Sequence, residues 1–174
     1  MRAKVCEALR MFDDALRANR RYAEHFRMGT MPAPTTRGFA LLTCMDTRID
    51  PLAILGLHPG EAKIIRNAGG RATDDALRSL VLATHFLAVT EIAVMHHTRC
   101  ALAGQSEDGV RSALADAGTT PGEAWSSLAM PDPDAALRAD VQAVRSCAML
   151  PPGTKVEGWR YDVGTGLVSR ILAA

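Results

Sequence analysis

A chain of 174 residues has the usual length of one domain and is long enough to bury a central sheet. Hydrophobic residues make up 48% of it and charged residues 22%, which is typical of a soluble globular protein. The formal net charge of +1 gives no basic surface for nucleic acid. No apolar run reaches the roughly 18 residues of a membrane span, and the N-terminus lacks the apolar core of a signal peptide. We therefore expect one cytoplasmic domain over residues 1–174, with neither a nucleic-acid nor a membrane partner.

The chain begins with an arginine-rich segment. From about Val5 to Phe26, apolar residues recur at helical spacing and arginines fill the other face, which predicts an amphipathic N-terminal helix. Four cysteines in a chain of this length do not make a disulfide framework. Two of them, Cys6 and Cys147, lie in helix-like segments and are expected to be small buried hydrophobes.

Short apolar runs alternate with helical segments through the rest of the chain. Strands are expected at residues 39–42, 62–65, 92–95 and 155–162, and helices at about 74–87 and 134–150. Residues 101–134 predict short helices and loops, because small residues are interrupted there by prolines and glycines. This order predicts an α/β fold with a central, mostly parallel β-sheet flanked by helices. Ligands of such a sheet lie beyond the carboxyl ends of its strands.

Metal-ligating residues follow two of these apolar runs. The sequence Cys44-Met45-Asp46-Thr47-Arg48 comes after the first, and His97-Thr98-Arg99-Cys100 after the third. If both runs are parallel strands, Cys44, His97 and Cys100 meet where they end. Two thiolates and one imidazole form a zinc site, and three protein ligands leave a fourth position for water, as in catalytic zinc sites. We expect one Zn²⁺ per chain in a hydrolase or hydratase.

The residues between the ligands indicate how such a site would work. Zinc lowers the pKa of a bound water towards neutrality, which gives a nucleophile at ordinary pH. The spacing of Asp46 and Arg48 allows their side chains to pair as carboxylate and guanidinium. Arg48 would then hold Asp46 off the metal, and Asp46 would orient the nucleophile. Without that partner, Asp46 could become the fourth ligand in a closed state.

These motifs together resemble the β-class carbonic anhydrases. The resemblance is carried by Cys44-x-Asp46-x-Arg48, Arg66-Asn67-Ala68-Gly69 and His97-x-x-Cys100 in this order, and more weakly by residues 158–166. The tract around Asp50-Pro51-Leu52 and the doubled His96-His97 are similar to a compact actinobacterial-type branch. The resemblance implies that Cys44, His97 and Cys100 bind zinc and that Asp46 and Arg48 form the catalytic dyad. It also implies CO2 and bicarbonate as the small-molecule substrate, and a homodimer or dimer of dimers.

The chain departs from the family pattern near the second cysteine. Arg99 and Ala101 flank Cys100, where the family usually has a small or acidic residue and a glycine. The backbone amide that faces the substrate in the family is expected at Ala101. Leu41 stands where bicarbonate-regulated members have tryptophan. Two alternatives stay open: a carbonyl sulfide or carbon disulfide hydrolase of the same fold, and a zinc-binding homologue with little catalytic activity.

Two neighbouring features have alternative interpretations. The tract Arg66-Asn67-Ala68-Gly69-Gly70 before a helix could cradle a phosphate, but it lacks both the dinucleotide-binding and the Walker patterns. His96 either supports the metal site from behind or points away from it, and the second is favoured.

Overall fold

The computed structural model describes residues 2–174, with side chains from residue 11 onward. The chain divides into two compact units, one ending at Pro32 and the other spanning Ala33–Ala174. The first unit contains the predicted N-terminal helix, α1, over Arg2–Glu24. On α1, Met11, Phe12 and Leu16 are exposed apolar side chains. The predictions for Cys6 and for the apolar positions before residue 11 lie outside the described side chains.

The second unit is built on one five-stranded sheet with the strand order β2-β1-β3-β4-β5. Strands β1 to β4 pair in parallel, and β5 pairs antiparallel to β4. This arrangement confirms the predicted, mostly parallel sheet. The strands span Phe39–Cys44, Ala62–Asn67, Glu91–His97, Lys155–Tyr161 and Val168–Leu172.

Helices flank this sheet, as expected. The helices α2 to α5 span Pro51–Leu55, Asp74–Phe86, Glu107–Asp116 and Pro133–Arg145, and a single 3-10 turn covers Ala68–Gly70. The predicted helix over 134–150 therefore ends early, at Arg145, where the backbone N–H of Ser146 caps it by donating to the carbonyls of Gln142 and Val144. Cys147 lies in the loop beyond this end and is half-buried, so the expectation of a buried helical cysteine was wrong. Every helix within residues 2–174 is too short or too polar to span a membrane.

Two apolar layers sandwich the sheet, because successive side chains of a strand point to opposite faces. On one face, Leu42 and Val94 pack with Leu80 of α3 and Leu137 of α5. On the other face, a second cluster contains Leu41, Ala93, Met95, Met130 and Tyr161. Both central strands are therefore buried on both sides, which holds their ends rigidly.

The carboxyl ends of β1 and β3 lie side by side. Strand β1 ends at Cys44 and strand β3 at His97. Thr43 pairs with Met95 across the two strands, and its hydroxyl donates a buried hydrogen bond of 2.8 Å to the Met95 carbonyl. The pairing of these two strands brings Cys44 and His97 to the same edge of the sheet.

The 3-10 turn packs directly against the end of β1. Gly70 has a φ of +70°, and a Cβ on it would lie 2.9 Å from the Cys44 nitrogen and 3.0 Å from the Thr43 carbonyl carbon. Glycine is therefore required at this position for two reasons, backbone conformation and close approach.

We predict that Gly70→Ala destabilises the fold by about 3 kcal/mol, because it combines left-handed strain with a clash against backbone. Gly104→Ala is the matched control, since Gly104 has a φ of +75° but a Cβ added to it would meet no described atom within 4 Å. The control should cost only about 1 kcal/mol. Urea unfolding of both variants measures the change in the free energy of unfolding. Equal losses of stability would show that close packing of the turn against β1 does not require glycine.

Candidate metal centre

The structure brings the three predicted ligands together. The Sγ atoms of Cys44 and Cys100 and a ring nitrogen of His97 all lie within 4.8 Å of one another, and all three residues are buried. Cys44 and His97 come from strand ends, whereas Cys100 comes from the turn that follows β3. The three residues, which are separate in the sequence, therefore form a compact cluster of two sulfurs and one nitrogen.

A backbone contact fixes the histidine of this cluster. His97 Nδ1 lies 3.0 Å from the carbonyl oxygen of Thr98. Since a carbonyl only accepts, Nδ1 carries the hydrogen and Nε2 keeps its lone pair. Among the described residues Nε2 has no hydrogen-bond partner, although the side chain is completely buried. A buried lone pair without a partner is costly, and a metal ion would satisfy it.

The two sulfurs are coupled. A hydrogen bond from the Cys100 thiol lowers the pKa of Cys44 against the opposing effect of burial. The same hydrogen bond, together with burial, raises the pKa of the Cys100 thiol above its usual range. The pair therefore favours a thiolate at Cys44 over one at Cys100, and a divalent cation would replace the proton that the two sulfurs share.

Asp46 and Arg48 pair as predicted. Arg48 Nε and Nη2 donate to Asp46 Oδ1 and Oδ2 at 2.8 and 2.7 Å, and the Arg48 backbone amide donates to Oδ1 at 2.9 Å. These hydrogen bonds hold the pKa of Asp46 far below its usual range. Asp46 Oδ2 lies 3.9 Å from His97 Nε2, so the carboxylate borders the cluster.

Arg48 is itself anchored by the turn that carries Cys100. Its Nη2 donates a further hydrogen bond of 2.9 Å to the carbonyl oxygen of Arg99. Arg99 adopts a φ of 55°, which is uncommon for a residue with a side chain. Its guanidinium points away towards Gly164, where an added Cβ would lie 2.7 Å from Arg99 Nη2. Arg99 thus contributes its backbone carbonyl, and not its side chain, to the site.

Sequence reasoning missed the part that Arg66 plays here. Arg66 Nε and Nη2 donate to the carbonyl oxygens of Cys44 and Asp46 at 3.0 and 2.7 Å. Arg66 therefore fixes the backbone on both sides of Met45. The signal in the sequence was its position in the family motif, but nothing in the spacing indicates backbone carbonyls as its partners.

The remaining predicted positions lie around the cluster. Ala101 follows Cys100 in an exposed turn. His96 is buried on the opposite face of β3, where it approaches Asp140 of α5 and points away from the cluster. A cavity of about 520 Å³ lies at the other end of the sheet, near Phe39, Glu91 and Trp159, and none of the three ligand candidates lines it.

The donor set fits a metal ion that prefers sulfur and nitrogen. Thiolates and a neutral imidazole select zinc and other soft or borderline cations over magnesium or calcium. The two sulfurs and a ring nitrogen of His97 lie within 4.8 Å of one another, so one such cation can contact all three. Three buried donors beside a hydrogen-bonded carboxylate define a metal-dependent enzyme of the α/β class.

Comparisons with known proteins agree with this class. A family model described as carbonic anhydrase matches residues 39–125. β-Carbonic anhydrase 1 of Mycobacterium tuberculosis is 34% identical over 160 residues, which cover 91% of this chain and 96% of the relative. A carbonic anhydrase structure from Streptococcus mutans has a TM-score of 0.85 at 34% identity and covers 92% of this chain and 96% of its own. The chain belongs to the β-carbonic anhydrase family.

A second group of relatives is named for a different activity. A carbon disulfide hydrolase of Acidianus sp. is 30% identical over 155 residues, which cover 76% of each chain. A solved carbon disulfide hydrolase has a TM-score of 0.69 at 28% identity and covers 92% of this chain and 89% of its own. The fold is therefore shared by proteins named for two different substrates.

We predict that Cys44→Ser and Cys100→Ser each lose most of the bound metal, because a serine hydroxyl is rarely ionised at neutral pH and cannot replace a thiolate. Cys147→Ser is the control, because Cys147 is a free cysteine outside the cluster. Metal analysis of the purified proteins measures the outcome. Near-stoichiometric metal in both cluster variants would contradict the assignment of the ligands.

Proposed function

We propose that this chain catalyses the zinc-dependent, reversible hydration of CO2 to bicarbonate and a proton. The observation that carries the proposal is the combination of three buried S, S and N donors with a doubly hydrogen-bonded Asp46 beside them. Cys44, His97 and Cys100 would hold one Zn²⁺ per chain. When bound, zinc would supply the Lewis acidity that makes water a nucleophile near neutral pH.

The hydrogen bonds of Asp46 indicate its part in the reaction. Each carboxylate oxygen accepts about two hydrogen bonds. Oδ1 already accepts two from Arg48, whereas Oδ2 accepts one and lies towards His97. The free acceptor on Oδ2 would therefore take a hydrogen bond from the attacking water and orient it. Because the pKa of Asp46 is held far below its usual range by Arg48, this carboxylate orients and does not keep the proton.

Arg48 would act as a positioning residue. It holds both oxygens of Asp46 and is tied to the Arg99 carbonyl, so the carboxylate stays beside the metal position and off it. Freed from Arg48, Asp46 would be close enough to become a fourth ligand. We also propose that the amide of Ala101 faces the substrate, as the family pattern implies.

Hydrolysis of carbon disulfide or carbonyl sulfide is the second candidate. It is supported by the relatives named carbon disulfide hydrolase, which are similar over most of the chain. A nucleophile that attacks CO2 also attacks these linear sulfur analogues where they can enter. Hydration of CO2 is preferred because β-carbonic anhydrase 1 of Mycobacterium tuberculosis is 34% identical over 91% of the chain, against 30% over 76% for the Acidianus hydrolase.

The proposal includes the cellular location and the oligomeric state of the enzyme. Two thiolate ligands require a reducing compartment, which supports a cytoplasmic location. The exposed apolar residues Met11, Phe12 and Leu16 of α1 support a homodimer, since a large apolar stripe on a helix is normally covered. A dimer of dimers is compatible with the same surface.

Stopped-flow measurement of CO2 hydration by the zinc-loaded protein tests the activity. We expect turnover well above the buffer rate, and a loss of about 10²-fold in Asp46→Asn, because an amide cannot orient the water in the same way. Asp75→Asn is the control, since Asp75 is an exposed residue of α3. Sulfide release from carbon disulfide without CO2 turnover would contradict hydration and favour the second candidate.

Arg48→Ala tests the positioning role. We expect the variant to keep its zinc and to lose turnover by about 10²-fold, because the released carboxylate competes for the metal. Arg48→Lys should recover only part of the activity, since a point charge cannot make two parallel hydrogen bonds. Metal analysis, turnover and a crystal structure of the zinc-loaded variant are the measurements. Parental turnover in Arg48→Ala would show that the pair is only a structural ion pair.

A further inference from the structure

A buried carboxylate on α5 lies behind the metal centre. Asp140 is 5% exposed. Its Oδ2 accepts a hydrogen bond of 2.7 Å from Arg71 Nε and lies 3.0 Å from His96 Nε2, and its Oδ1 accepts one of 3.0 Å from the Ala72 amide. One side chain therefore contacts both the segment after β2 and the end of β3.

Burial of this charge needs an explanation. Its neighbours on the inner face of α5 are Leu137, Val141 and Val144, which are all buried. Burial acts to raise the pKa of Asp140, but the polar contacts with His96, Ala72 and Arg71 outweigh it and hold this pKa below its usual value. An apolar residue would fill the same space, and buried ion pairs are often no more stabilising than such a replacement. The charged side chain is therefore better explained by the residues that it holds in position, Arg71 and Ala72.

Arg71 closes a turn that rests on the first metal ligand. The Asn67 side chain donates to the Arg71 carbonyl at 2.7 Å and accepts from the Arg71 amide at 2.8 Å. Asn67 pairs with Cys44, and its carbonyl accepts from the Met45 amide at 2.9 Å. Inside this turn, Gly70 approaches the Cys44 backbone so closely that a Cβ added to it would lie 2.9 Å from the Cys44 nitrogen. The backbone of Cys44 therefore packs against a turn whose last residue is held by Asp140.

The second contact reaches the other ligand strand. His96 immediately precedes His97 and projects from the opposite face of β3, where it meets Asp140. A single carboxylate thus connects the turn that packs on the end of β1 with the end of β3, on the side of the sheet away from the metal.

We propose that Asp140 is a positioning residue of the metal centre, which clamps Arg71 and Ala72 so that the turn formed by residues 67–71 keeps the backbone of Cys44, and with it the ligand sulfur, in place. The proposal rests on the metal site of the proposed function and adds a residue to it. A fixed backbone orients the ligand sulfur that it carries, so release of the clamp weakens metal binding. The fold itself retains its apolar contacts around α5.

Two variants of Asp140 test the clamp in the full-length protein. Asp140→Asn keeps the acceptor for Ala72 and removes the charge that holds Arg71. Asp140→Leu removes both and keeps the branched arrangement of four side-chain heavy atoms. We expect zinc to bind about tenfold more weakly in Asp140→Asn and weaker still in Asp140→Leu, as measured by competition with a chromophoric chelator. The sulfur-to-cobalt absorption of the Co²⁺-loaded protein should change in the same order.

Asp132→Ala is the matched control on the same helix. Asp132 caps α5 by accepting from the Asp134 and Ala135 amides at 2.9 and 3.1 Å, so its loss weakens the helix without touching the turn. Parental zinc affinity in this control, with weakened affinity in both Asp140 variants, supports the clamp. If neither Asp140 variant folds, Arg71→Lys carries the same test, because it retains the charge and shortens the reach.

The outcomes separate this proposal from the proposed function. Parental zinc affinity and an unchanged cobalt spectrum in the folded Asp140 variants would overturn the clamp and leave the metal centre intact. A loss of affinity in Asp132→Ala equal to that in Asp140→Leu would also overturn it, since helix stability alone would then explain the effect. A parent protein that binds neither zinc nor cobalt would overturn the metal centre and the clamp together.

Discussion

The site depends first on the parallel pairing of β1 with β3. Thr43 lies opposite Met95 in this pairing, and its buried hydroxyl fixes the same register at the point where the strands end. A slip of one residue would turn every side chain to the other face of the sheet, and Cys44 would then leave the cluster. Burial of both strands on both faces makes such a slip costly, because apolar residues line either side.

Around the ends of β1 and β3, hydrogen bonds of both side chains and backbone atoms hold the site in place. Arg66 fixes the carbonyls of Cys44 and Asp46, while Arg48 fixes the Asp46 carboxylate and is held by the Arg99 carbonyl. The Thr98 carbonyl sets the tautomer of His97. Much of the geometry is therefore carried by backbone atoms. A different side chain at position 99 would leave the hydrogen bond between the backbone carbonyl there and Arg48 unchanged.

The sequence was sufficient for the sheet and for the ligand cluster, for a physical reason. Apolar runs predict buried strands, and ligand residues at their ends must meet when the strands are parallel neighbours. Contacts that depend on tertiary packing could not be predicted in this way. Asp140 interrupts the apolar stripe of α5, which is a signal of a buried partner, but only the fold identifies Arg71 and His96 as its contacts. The end of α5 was misplaced because local capping at Ser146 decides it.

Strand order also has a consequence for the timing of assembly during synthesis. The three metal ligands all precede β4, yet β3 lies between β1 and β4, and the Thr98 amide beyond it donates to Tyr161 near the end of the chain. When Cys100 has just emerged from the ribosome, all three ligands are outside it, but α5 and β4, which hold them in place, have not yet emerged. The geometry of the centre becomes complete only once α5 and β4 have emerged, so all three ligands are available before the site has its final shape.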